Sequence, residues 1–100
     1  MNVVAFVDDL MDRSRVSAAI PGVRFVRDPS AVGDADVAVV DLARYAEVVR
    51  ALRESSTAIR IIAFGPHVDE DAHESADRDG ADLVLPRSRF FRDPKQAIAV

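Results

Sequence analysis

Apolar residues gather in five short runs along the chain, each closed by polar or turn-forming residues. Val3-Val4-Ala5-Phe6-Val7 is the first and stops at Asp8-Asp9. Val23-Arg24-Phe25-Val26 alternates and carries Arg24, the pattern of an edge strand with one wet face. Val37-Ala38-Val39-Val40 stops at Asp41, the run from Ile59 to Phe64 stops at Gly65-Pro66, and Leu83-Val84-Leu85 precedes Pro86-Arg87. Uninterrupted Val, Ile and Leu runs of this length predict strands buried on both faces. Helical patterns lie between them. Tyr45, Val48, Val49 and Leu52 fall at i, i+3, i+4 and i+7, one helix face. Leu10 to Ile20 suits a helix that stops at Pro21-Gly22, and Asp69 caps a helix running to Gly80. Asp93-Pro94 opens a last, short helix, and Asp28 to Ala35 has room for only a turn or two. Strand and helix alternate along the whole chain, which predicts an α/β fold: a doubly wound parallel sheet with right-handed crossovers.

Composition narrows this picture. The chain has 100 residues, 49% hydrophobic and 30% charged, with 4 Gly and 5 Pro. That predicts one folded domain over residues 1–100 and excludes low-complexity disorder. The absence of cysteine removes disulfides, thiolate zinc sites, iron–sulfur clusters and thiol nucleophiles. No apolar stretch is long enough to cross a bilayer, and MNVVAFVDDL lacks a basic lead-in, so no membrane contact and a cytoplasmic location are expected. Thirteen Lys and Arg against 17 Asp and Glu predict no nucleic-acid partner.

In a sheet of this kind the ligand crevice lies beyond the carboxyl ends of the strands. This sequence places Asp8-Asp9, Asp41, Gly65-Pro66-His67 and Pro86-Arg87-Ser88 there. If strands one and three are neighbours, Asp8, Asp9 and Asp41 converge with Arg87 alongside. Three close carboxylates raise one another's pKa or hold a cation, and oxygen-only ligands suit Mg²⁺. An aspartate beside such a metal can attack a phosphoryl donor and become an acyl phosphate. A plainer reading stands beside it: aspartates after strands cap the next helix, and Arg87 neutralises Asp41 directly.

These residues resemble a response-regulator receiver domain. VVAFVDD is similar to the receiver's first strand and acidic pair, so the resemblance assigns Asp8 and Asp9 to the metal. DVAVVDL is similar to the third strand and makes Asp41 the phosphoacceptor. IIAFGP and GADLVLPRS resemble the fourth strand and the segment leading into the fifth. The resemblance implies a flavodoxin-like five-stranded parallel sheet of order 2-1-3-4-5, here with short first and last helices. Two departures stand out. Gly65 occupies the place of the usual Ser or Thr, and Arg87 the place of the usual Lys. Arg87 keeps the charge but not the point-like ammonium. The expectation is therefore a stand-alone signalling or interaction module, a pseudo-receiver with an acidic pocket of Asp8, Asp9 and Asp41 and no catalytic turnover. The alternative is a Mg²⁺-dependent response regulator phosphorylated on Asp41, with Arg87 as its charge partner. A small hydrolase or phosphatase using the same acids ranks last, because no general base accompanies them.

Other features have plainer accounts. His67 and His73 beside Asp69, Glu70 and Asp71 suggest a transition-metal cluster, but cap and loop roles explain them. PRSRFFR interleaves Arg87, Arg89 and Arg92 with Phe90 and Phe91, which are expected to anchor the last loop on the core. Asp12, Arg13 and Arg15 carry both charge signs on the first helix and suggest a solvated face. No P-loop, GxGxxG or GxSxG is present. Short first and last helices leave Ile20, Phe90, Phe91, Ile98 and Val100 to cover one face of the sheet. At about 25 cal/mol per Å², a few hundred Å² left wet forfeits several kcal/mol. A homodimer or a protein partner across that face is the resulting expectation.

Overall fold

The computed structural model describes residues 1–66 and 69–99. His67, of the histidine pair considered above, and Val100, of the expected cover, lie outside the described residues. Strand β1 (Val3–Phe6) leads into helix α1 (Leu10–Ala19), strand β2 (Arg24–Phe25) and a 3₁₀ turn (Pro29–Ala31). Strand β3 (Val37–Asp41), helix α2 (Leu42–Ser55), strand β4 (Arg60–Gly65) and helix α3 (Glu70–Arg78) follow. Strand β5 (Leu83–Pro86) and helices α4 (Arg87–Arg92) and α5 (Pro94–Ala99) end the chain. The five strands form one parallel sheet in the order β2-β1-β3-β4-β5.

Strand alternation divides the core in two. Val4, Phe6, Ala38, Val40, Ile61 and Ala63 face α2 and α3, with Tyr45, Val48, Val49 and Leu52 packed on them. Val3, Ala5, Val7, Val37, Val39, Ile62 and Phe64 face the other way, toward Val16 of α1, Phe90 of α4 and Ile98 of α5. Strands β1, β3 and β4 are buried from both sides, as their apolar runs predict, and β5 is half-buried. Strand β2 shrinks to two residues at the edge, where Arg24 is exposed and turns to the carbonyls of Ala31 and Val32.

Two expectations need correction. The PRSRFFR segment is not a loop but the helix α4. Pro86 precedes it with no side-chain cap, so it lacks the usual start signal. Phe90 holds it instead, fully buried and stacked 4.8 Å from the Phe64 ring. The face under α1 and α5 is also better covered than expected. Ile20, Phe90 and Ile98 are themselves buried, and what remains is a hollow of about 230 Å³ bordered by Met1, Ala19, Ile20, Pro21, Ile98 and Ala99. No helix among the described residues is long and apolar enough to cross a membrane.

Candidate functional site

The carboxyl ends of β1, β3 and β5 open onto a cavity of about 300 Å³ lined by Asp8, Asp9, Asp12, Asp41, Ala43, Arg44 and Arg87. The four residues expected there do share it. Asp12 joins them in the lining, and the Tyr45 hydroxyl reaches Asp8; neither was expected in that role.

Alternation along the strands decides which way each acid faces. Asp41 continues the Val37 and Val39 side, toward α1 and α4. It is 5% exposed and caps α2, its Oδ1 accepting from the Ala43 N–H at 3.0 Å. Burial pushes its carboxyl above the ordinary range; the Ala43 N–H and the Arg87 and Arg44 charges oppose that, while Asp12 adds to it. Asp9 caps α1, accepting from the Asp12 N–H at 2.9 Å. Asp8 follows Val4 and Phe6 toward α2 and accepts the Tyr45 hydroxyl at 2.6 Å. Arg13 and Arg27 stand 3.8 Å from the same oxygen.

Arg87 does not reach Asp41 as its partner, contrary to the plainer reading of the sequence. From the head of α4 its two terminal nitrogens donate to both oxygens of Asp12, at 2.9 and 2.8 Å. Its guanidinium lies 5.6 Å from the Phe64 ring centre and 5.1 Å from that of Phe91. The forked donor suits a carboxylate in two-point contact, which a lysine cannot reproduce. The Asp12 pair also holds the guanidinium more firmly protonated. Asp12 is 3% exposed, so it is not part of a solvated face. A signal for this was present: Asp12 and Val16 stand four residues apart, and they are the buried residues of α1. Charge pattern alone hid it.

Tyr45 lies on the helix face assigned to the core, and its ring packs edge-on against Phe6 at 5.6 Å. A buried tyrosine hydroxyl needs a partner, and Asp8 is the one within reach. Helix α2 begins directly after Asp41 and departs from helical geometry at Tyr45 (φ −129°, ψ 30°). Burial and the Asp8 carboxylate together raise the phenol's pKa.

A divalent cation of the kind the resemblance implies needs oxygen donors free to turn to it. Asp8 is engaged by Tyr45 and two arginines, Asp9 and Asp41 cap helices, and Asp12 holds Arg87. Among the described residues no three carboxylates or imidazoles form a set able to hold a metal ion. As arranged, Asp8, Asp9 and Asp41 are each held through Oδ1, and Asp12 through both oxygens. Gly65 ends β4, and a Cβ there would stand 3.2 Å from Nε2 of His73, a nitrogen buried without a hydrogen-bond partner among the described residues.

No protein-family model and no curated protein matches the chain. Solved structures do. The receiver domain of the TMAO respiratory system response regulator TorR superposes with a TM-score of 0.84 at 18% identity, over 98% of this chain and 92% of that one. A response regulator receiver domain protein from Clostridium thermocellum gives 0.81 at 15% identity, over 98% and 90%. The phosphorylated cyanobacterial phytochrome response regulator RcpA gives 0.79 at 15% identity, over 95% and 89%. At these identities the likeness is one of architecture: the chain has the fold of the response-regulator receiver domains.

Proposed function

We propose that this chain is a receiver-like signalling module whose acidic pocket is neutralised from within, a pseudo-receiver that acts through protein contacts. The observation that carries this reading is the two-point Asp12–Arg87 pair. The cation that would meet a phosphoryl group on Asp41 already has a buried carboxylate. Gly65 supplies no hydroxyl at the end of β4. Leu10 and Met11 stand 79% and 68% exposed beside cavity-lining Asp9 in the chain, an apolar pair suited to a protein partner. A second copy of the chain is the simplest such partner.

A second reading, Mg²⁺-dependent phosphorylation of Asp41, draws on the placing of Asp41 in one cavity with Asp8 and Asp9 and on the phosphorylated state of the RcpA neighbour. It requires Tyr45 to release Asp8 and Asp12 to release Arg87. Incubation with a small acyl-phosphate donor and Mg²⁺, followed by intact mass and light scattering at high micromolar concentration, separates the two. The pseudo-receiver reading expects an unmodified, associated chain. A phosphoryl adduct on Asp41 contradicts the first part, and a monomer contradicts the second.

A further inference from the structure

Asp8 is the pocket acid that faces α2, and its neighbour on that side is a phenol. The kink at Tyr45 interrupts α2 in its second turn, where the ring lies edge-on to Phe6 and the hydroxyl ends 2.6 Å from Asp8 Oδ1. Tyr45 is 9% exposed and the Asp8 side chain 30%, so the contact is partly covered, and a hydrogen bond to an ionised carboxylate is among the stronger ones. Arg13 and Arg27 flank the same oxygen. Asp8 is also one of the two acids, past the carboxyl end of β1, that the receiver resemblance assigns to a cation. The phenol therefore pins, through Oδ1, the carboxylate that a cation would have to turn toward itself.

We infer that Tyr45 is a latch that holds Asp8 away from divalent cations and so determines whether the pocket takes a metal. This rests on the pseudo-receiver reading and names the residue that enforces it at Asp8. The latch is specific to the hydroxyl. A phenylalanine in its place keeps the ring on Phe6 and gives up only the hydrogen bond. A hydrogen bond to a charged group sets the scale of the gain, about tenfold in cation affinity or more.

The test is a Mn²⁺ titration, by calorimetry and by paramagnetic broadening of amide signals, of the wild-type chain, Tyr45→Phe and the double variant Tyr45→Phe/Asp8→Asn. The latch predicts at least about tenfold tighter Mn²⁺ binding in Tyr45→Phe, lost again in the double variant. Equal affinity in Tyr45→Phe and wild type overturns it, as does a gain that survives Asp8→Asn. A second readout needs no variant. The chain has one tyrosine and no tryptophan, so its near-ultraviolet band reports Tyr45 alone. With millimolar Mn²⁺ added to the wild-type chain, the latch predicts that this band stays fixed. A band that shifts as Mn²⁺ is added overturns the latch. Failure of the pseudo-receiver reading shows elsewhere, as a phosphoryl adduct on the wild-type chain, whatever Tyr45→Phe does.

Discussion

At Asp41 two influences oppose each other. Burial favours the neutral acid, and the Ala43 N–H with the nearby arginines favours the carboxylate; burial is the larger. The folded chain therefore holds this proton more tightly than the unfolded chain does. Where the native state binds more protons, stability falls as pH rises, here from the ordinary carboxyl value of 3.8 up through the raised native one. At neutral pH the cost is present. Asparagine keeps an oxygen for the Ala43 N–H and carries no charge. Asp41→Asn is therefore expected to raise Tm by a few degrees at pH 7, with the gain closing below pH 3.8. Thermal melts across that range check it. A lower Tm at pH 7 would mean that Arg87 depends on Asp41 after all. The residues expected at the strand ends do meet in one cavity, because a parallel sheet brings its carboxyl ends together. Asp12 and Tyr45 escaped notice for opposite reasons. One was hidden in a mixed-charge stretch, and the other was counted as core for its ring while its hydroxyl went unassigned.

Among the elements, α1 and α4 depend on one another through the Asp12–Arg87 pair. Helix α4 has six residues and no side-chain cap, too little to persist alone. Phe90 anchors its underside on Phe64, and Arg87 ties its head to α1. The two ends of that tie are unequal. The Asp12 side chain is 4% exposed and the Arg87 side chain 39%. Arg87→Ala leaves a buried carboxylate without a partner, at a cost of about 3–5 kcal/mol. Asp12→Ala leaves an arginine that can swing to water, at about 1–2 kcal/mol. Urea unfolding of the two variants is expected to show that order, and equal or reversed costs would contradict the burial argument. The strands were legible in the sequence because each is a bounded Val/Ile/Leu run. The helix α4 was not, because a serine, paired aromatics and three arginines carry no helical period over six residues. Its stability comes from tertiary contact with Phe64, which no local pattern records.

On the scale of the whole molecule, the sheet order 2-1-3-4-5 is the one the receiver resemblance implies, and the two-sided core is the one the apolar runs imply. The site departs from what the same strand ends would suggest if read as a cation-binding pocket. Four acids line one cavity, and each has an internal partner: a phenol and two arginines for Asp8, helix N–H groups for Asp9 and Asp41, a paired arginine for Asp12. On the proposed reading, these internal partners stand where a metal ion would otherwise balance the charge of the acids. Internal neutralisation is the central claim, and an amide NMR titration of the wild-type chain tests it most directly. Mg²⁺ is added to millimolar concentration, then beryllofluoride as a phosphoryl mimic. The account predicts no saturable shift at Asp8, Asp9 or Asp41 with either addition. Shifts at these three residues that saturate with Mg²⁺, and spread to Asp12 and Arg87 when the mimic is added, would contradict it.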